Sequence, residues 1–130
     1  MIGNLNLPSN GLNVGSGQLQ VTGGNVTTSG SITATGNVTA YSDQRLKEDI
    51  RTIADALSIV KHMRGVSYIN KATGEEGIGV VAQEVLDVLP SVVHHDDKGM
   101  MHIAYGNIVG LLINAIKELT DRVEILEGRK

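Results

Sequence analysis

Cysteine is absent from these 130 residues, which excludes disulfide staples, thiolate metal sites and cysteine nucleophiles. Phe and Trp are absent too, and three tyrosines (Tyr41, Tyr68 and Tyr105) are the whole aromatic content. A small chain with so few large side chains commonly gains stability by association. Basic charge is also scarce: 11 Lys and Arg stand against 14 Asp and Glu, a formal net charge of -3. With no basic patch and no interleaved aromatics, neither nucleic acid nor an anionic membrane is an expected partner. No apolar run is long enough to span a bilayer. Met1-Ile2-Gly3-Asn4 has neither the basic region nor the apolar run of a secretory signal, so synthesis in a cytoplasm is the expectation.

The sharpest absence is local. Residues 1–41 contain no Asp, Glu, Lys, Arg or His, and every charged side chain lies from Asp43 onward. A repeat takes the place of charge. Gly24-Asn25-Val26-Thr27-Thr28-Ser29 is followed by Gly30-Ser31-Ile32-Thr33-Ala34-Thr35 and then Gly36-Asn37-Val38-Thr39-Ala40-Tyr41, with earlier turns at Gly11 and Gly17. One aliphatic β-branched residue per hexad, with Gly and Asn at the corners, describes short strands separated by tight turns. A three-faced coil takes about 18 residues and about three stacked units make a stable solenoid, more than this stretch supplies. Three chains, each giving one face, would make up the shortfall. The stretch therefore reads as the end of a trimeric β-prism, with a Gly/Ser/Thr/Asn linker as the plainer alternative. Asn25-Val26-Thr27 and Asn37-Val38-Thr39 match the glycosylation acceptor pattern, by chance in so Thr-rich a repeat.

Beyond the border the period changes. Thr52-Ile53-Ala54-Asp55 resembles a capping box ahead of a helix over about 54–64, on an apolar face marked by Leu46, Ile50, Ile53, Leu57 and Val60 and ended by Gly65, with residues 43–51 open to a helical or an extended backbone. Val66 to Ile69 reads as a strand, residues 72–77 as a turn into a strand over Ile78 to Val81, and Ala82 to Leu89 as a short helix stopped by Pro90. Ser91 to His95 and Met100 to Tyr105 make a hairpin around Asp96-Asp97-Lys98-Gly99. In the last segment Val109, Leu112, Ile116, Leu119, Val123 and Leu126 alternate spacings of three and four, an a/d heptad seam. The β-branched a positions with Leu at d favour two strands, whereas Ile108, Ile113 and Ala115 widen the apolar face, which suits three chains or packing of the helix onto its own domain, so the helix alone leaves the count open.

Chemistry concentrates at the border. Ser42 is followed by Lys47, with Arg45 between them. A serine hydroxyl is a weak nucleophile until a base takes its proton, and a lysine acts as that base only as the neutral amine. An α-helix would turn positions five apart about 140° away from each other, so an extended or turning backbone suits the pair better. Taken alone, Ser42 and Lys47 equally describe two solvated side chains. His62 suits a helix tail, where the dipole favours a cation. His94-His95-Asp96-Asp97 superficially resembles a metal cluster, but neighbouring strand residues point to opposite faces, and a polar hairpin end is the better description. His102 is a conceivable helper to Ser42. Gly74 to Gly79 lacks the ending of a phosphate loop. No metal or cofactor is expected.

Ser42-Asp43-Gln44-Arg45-Leu46-Lys47-Glu48-Asp49-Ile50 closely resembles the start of the intramolecular chaperone domain of phage tail spikes and fibres, the S74 peptidases. The resemblance continues through Gly65-Val66-Ser67-Tyr68, Gly79-Val80-Val81-Ala82-Gln83-Glu84-Val85, Pro90-Ser91-Val92-Val93 and Tyr105-Gly106-Asn107. It ends in Leu111-Leu112-Ile113-Asn114-Ala115-Ile116-Lys117-Glu118-Leu119. It implies a homotrimeric chaperone that helps an upstream β-helical segment of its own chain fold and then cuts itself off with a Ser-Lys dyad, just before the serine. The resemblance implies that the dyad on this chain would be Ser42 and Lys47 and the scissile bond Tyr41–Ser42. No oxyanion-hole residue can be carried over.

The expected organisation is α+β. Residues 1–41 are the end of a β-helical shaft. Residues 42–130 are a small mixed α/β chaperone domain whose long C-terminal helix forms a coiled-coil-like trimer. The expected partners are the chain's own copies and its upstream segment. The expected location is the virion tail fibre or spike, with the released chaperone left in the host cytoplasm. The alternatives are a non-cleaving trimerisation module and a hexapeptide-repeat acyltransferase, the latter opposed by the absence of His from the repeat.

Overall fold

The computed structural model describes residues 3–128. The chain divides into two units, one running to Asp43 and the other beginning at Gln44.

The first unit has turns but no strands among its described residues. The Gly11 N–H donates to the Pro8 carbonyl at 2.8 Å, and the Gly30 N–H donates to Thr28 Oγ1 at 3.0 Å. Val26, Ile32 and Val38, one per hexad, all face solvent. The turn signals of the repeat are thus realised within one chain, while the expected ladder is not. A strand in so short a coil needs a neighbour for its backbone groups and its one apolar side chain, and a single copy offers neither.

The second unit is a small mixed α/β fold. After a 3-10 turn at Gln44–Leu46 come α1 (Ala56–Lys61), β1 (Val66–Ile69), β2 (Glu76–Gly79), α2 (Ala82–Val88), β3 (Val93–His95), β4 (Met101–Ile103) and α3 (Ile108–Leu126). The strands form two separate antiparallel hairpins, β1 with β2 and β3 with β4. In the first, Tyr68 stands opposite Gly77, and a Cβ on Gly77 would lie 2.7 Å from the tyrosine ring. Glycine is therefore what lets the ring lie across the neighbouring strand. In the second, His94 stands opposite His102.

Two apolar clusters form the core. Val85, Val92, Val93 and Ile108 join α2 and the second hairpin to the start of α3. Ala56, Leu111 and Ala115 join α1 to α3, and Met63 and Leu89 border both clusters. The side chains are small, as the scarcity of aromatics requires.

Helix α1 is shorter than its sequence pattern. It occupies Ala56–Lys61, and its N-cap residue Asp55 is left-handed at φ 53° and makes no side-chain cap. The capping box expected from Thr52 to Asp55 is therefore not formed. Leu46 and Ile50, expected to extend the helical apolar face, precede the helix and are exposed. Strand β2 also begins two residues earlier than its pattern, at Glu76, and leaves Val80 and Val81 outside it. The helix over Ala82–Val88, ended before Pro90, and the long C-terminal helix fall where their patterns put them.

Candidate functional site

The border segment carries the residues expected to form the site, Tyr41, Ser42 and Lys47. Tyr41 is 94% exposed, and Ser42 is exposed in backbone without regular structure. Ser42 lies at the end of the first unit and Lys47 near the start of the second. The Lys47 N–H donates to the Gln44 carbonyl at 3.0 Å and closes the 3-10 turn. Its side chain is exposed. Residues 44–47 thus form a tight 3-10 turn rather than an α-helix. From Lys47 the chain runs to α1 without helix or strand, passing Asp49 and Asp55, both at positive φ. Asp tolerates that region better than most side chains.

This connecting segment is held against α3. Ile53 Cδ1 lies 3.9 Å from the position a Cβ on Gly110 would take. Where the segment enters α1, the Glu118 carboxylate accepts two backbone bonds, the Ala56 N–H on Oε1 at 3.1 Å and the Leu57 N–H on Oε2 at 2.6 Å. A carboxylate at a helix start satisfies donors that lack intrahelical partners and meets the positive end of the helix dipole. Sequence pattern missed Glu118 because its partners lie far along the chain. A signal was nevertheless available: Leu111, Ala115 and Glu118 continue one stripe at helical spacing, and a carboxylate on a buried stripe requires a partner.

Helix α3 has two apolar faces. Ile108, Leu111 and Ala115 are buried against the rest of the unit, whereas Val109, Leu112, Ile116, Leu119, Val123 and Leu126, the heptad seam, are all exposed. The widened face is thus two faces side by side, one used within the chain and one open.

His62 is the C-cap of α1, and its Nδ1 is 2.8 Å from the Ser58 carbonyl oxygen. His94 and His102 stack at 5.7 Å between ring centroids, so each finds its neighbour across the hairpin. Among the described residues no group of three or more His, Asp or Glu side chains is placed to hold a metal ion. No helix among them is long and apolar enough to cross a membrane.

A shallow groove of about 460 Å³ opens where α2 begins, lined by Val80, Gln83, Met101, His102 and Tyr105 among others. At its edge Tyr105 Oη accepts the Val80 N–H at 3.3 Å. A second groove of about 330 Å³ carries the Arg64–Glu84 ion pair. There Arg64 Nη2 reaches Glu84 Oε1 at 2.6 Å, and this hydrogen bond and its charge hold the guanidinium above its ordinary pKa.

Comparison with known proteins finds relatives of this chain. Residues 42–94 match the family Peptidase_S74, chaperone of endosialidase. The chain is 36% identical over 96 residues to the long tail fiber protein Gp37 of Enterobacteria phage K3, covering 67% of this chain and 8% of that protein. It is 35% identical over 96 residues to the long tail fiber protein Gp37 of Enterobacteria phage T2, covering 67% and 7%. The chain therefore spans less than a tenth of the length of these curated relatives. The family likeness is therefore to Peptidase_S74, the chaperone of endosialidase, over residues 42–94.

Proposed function

We propose that residues 42–130 are an intramolecular chaperone that trimerises and folds the β-helical fibre segment before it, then releases itself by cutting the Tyr41–Ser42 bond. The observation that carries this reading is a coincidence of borders. The family match begins at Ser42, the residue after the end of the charge-free repeat. The relatives' tail-fibre identity supports a fibre as the substrate and a virion as its destination.

In the proposed reaction Ser42 Oγ attacks the Tyr41 carbonyl carbon. The neutral Lys47 amine takes the hydroxyl proton and returns it to the Ser42 nitrogen as the C–N bond breaks. The product is an ester of Tyr41 on Ser42 Oγ. Water then adds to that ester, leaving the Tyr41 carboxylate and restoring the serine hydroxyl. Attack within one chain and attack on a neighbouring protomer balance equally.

The open seam of α3 supports trimer formation. Six apolar side chains at heptad spacing stay exposed after the domain has formed its own core. Three copies docked through them would also bring three repeat segments together, the neighbours a β-prism needs. Desolvation favours a neutral amine, so assembly around Lys47 would couple cutting to trimerisation. An obligate monomeric variant that cleaved at the normal rate would exclude that coupling. Removing the chaperone after folding leaves a fibre whose lifetime is set by its unfolding rate.

The exposure of Lys47 in the single protomer favours a second reading, a trimerisation module that does not cleave. A denaturing gel of wild type against Ser42→Ala and Lys47→Gln separates the two. Self-cleavage gives a fragment of residues 42–130 beginning at Ser42 in wild type alone. The same single band in all three leaves the non-cleaving module.

A further inference from the structure

The segment bearing Lys47 and the open seam are attached to the same helix. Between Lys47 and α1 the chain has no helix or strand, so its path depends on what holds it. Ile53 rests near Gly110, and the Ala56 and Leu57 N–H groups end on the Glu118 carboxylate. Gly110 and Glu118 lie about 12 Å apart along α3 at 1.5 Å per residue. Both of these contacts are therefore made with α3. Ile116 and Leu119, two residues of the exposed seam, flank Glu118 in sequence.

We propose that Glu118 is a positioning residue for self-cleavage. By capping the start of α1 it fixes the downstream end of the Lys47 segment onto the helix whose other face receives the neighbouring protomers. The inference rests on the reading that Ser42 and Lys47 cut the chain. Glu118 suits the task because its two oxygens hold two successive backbone donors, which sets the direction of the entering chain as well as its place. A single bond would leave that direction loose. When the seam is filled, Ile116 and Leu119 lose their freedom, and the turn of α3 that presents Glu118 stiffens with them. Assembly then reaches the Lys47 segment through one helix, with no rearrangement of the hairpins.

The test uses the full chain with Glu118→Ala, Glu118→Gln and, as control, the exposed neighbour Lys117→Gln. The first-order appearance of the fragment beginning at Ser42 is followed well below the melting temperature, with solution mass and circular dichroism measured in parallel. Glu118→Ala should cut at least tenfold more slowly while remaining folded and trimeric. Glu118→Gln, whose amide oxygen can still accept one N–H, should fall between it and wild type, and Lys117→Gln should match wild type. The rate–pH curve of Glu118→Ala should change its midpoint, whereas a loss of stability alone lowers the rate without moving it. A folded, trimeric Glu118→Ala that cuts at the wild-type rate with the wild-type pH curve overturns the proposal. Amide exchange over residues 47–55 gives a readout independent of cutting. Faster exchange in Glu118→Ala than in Lys117→Gln supports the positioning role, and equal exchange overturns it. If wild type itself gives no fragment beginning at Ser42, the cleavage reading has failed, whichever way the exchange experiment comes out.

Discussion

Tyr105 and Gly79 occupy each other's space. The phenol oxygen of Tyr105 lies 2.6 Å from where a Cβ on Gly79 would be, and the same oxygen accepts the Val80 N–H at 3.3 Å. Two of the separate stretches that carry the family resemblance, one at Gly79-Val80 and one at Tyr105-Gly106, are thus two halves of one contact.

Gly79→Ala should destabilise the second unit by about 1–3 kcal/mol, because the tyrosine must move to admit the methyl group. Tyr105→Phe should cost about 0.5–1.5 kcal/mol, the net value of one neutral hydrogen bond. The two should not add: in a Tyr105→Phe background, which lacks the oxygen that the methyl group would meet, the Gly79→Ala penalty should shrink. Chemical denaturation of the four proteins in the cycle measures this coupling, and strict additivity would dissolve it.

Leu111 and Leu112 are neighbours with opposite tasks. Leu111 is 1% exposed and Leu112 is 42% exposed. Leu111→Ala should therefore lower stability by about 2–5 kcal/mol, the usual cost of emptying a packed leucine site. Leu112→Ala should change the stability of the isolated domain far less and should weaken self-association instead. Melting curves at low concentration, with mass measured across a dilution series, distinguish the two effects.

Charge placed in the seam should separate folding from assembly. In the double variant Leu112→Asp and Leu119→Asp the second unit should keep its helical circular dichroism while the solution mass falls to that of one chain. In the same variant the amides of residues 24–41 should exchange rapidly, whereas in the associated protein they should gain protection as strands pair. Equal protection in both proteins would detach the repeat from the seam.

The Arg64–Glu84 pair should contribute little, since both side chains are substantially exposed (67% and 39%). Its hydrogen bond and charge raise the guanidinium pKa. A raised cation contributes stability below its unfolded value and loses it only as pH climbs through the folded one. Arg64→Gln should therefore leave the slope of stability against pH unchanged from about pH 5 to about pH 9 as far as this cation is concerned. Any small loss it causes should vanish in about 1 M salt, where the screening length is near 3 Å.

Much of the second unit was legible in the chain. Val66 to Ile69, the turn at Asp96 to Gly99, the helix before Pro90 and the heptads from Val109 all depend on neighbours within a few residues, and the local pattern carries them. The failures share a cause. Thr52 to Asp55 has the spelling of a cap, but a capping box competes with every other acceptor the fold can bring, and Glu118 displaced it with two oxygens. Leu46 and Ile50 continue a helical spacing on paper, yet the backbone turns left-handed at Asp49 and at Asp55, so the spacing has no helix to act on. The repeat is a separate case and not a failure: the strands expected at Val26, Ile32 and Val38 belong to a trimer, whose partners a single copy does not supply.

The sequence by itself determined the border at Ser42, the presence of a serine and a lysine beside it, and the heptad seam. Composition and period are local properties, and no distant contact changes them. Only the tertiary structure decided that α3 divides its apolar side chains into a buried face and an open one, and that Glu118 holds the start of α1. Both facts depend on which surfaces meet when the chain closes, and that is fixed by burying Ala56, Leu111 and Ala115 together.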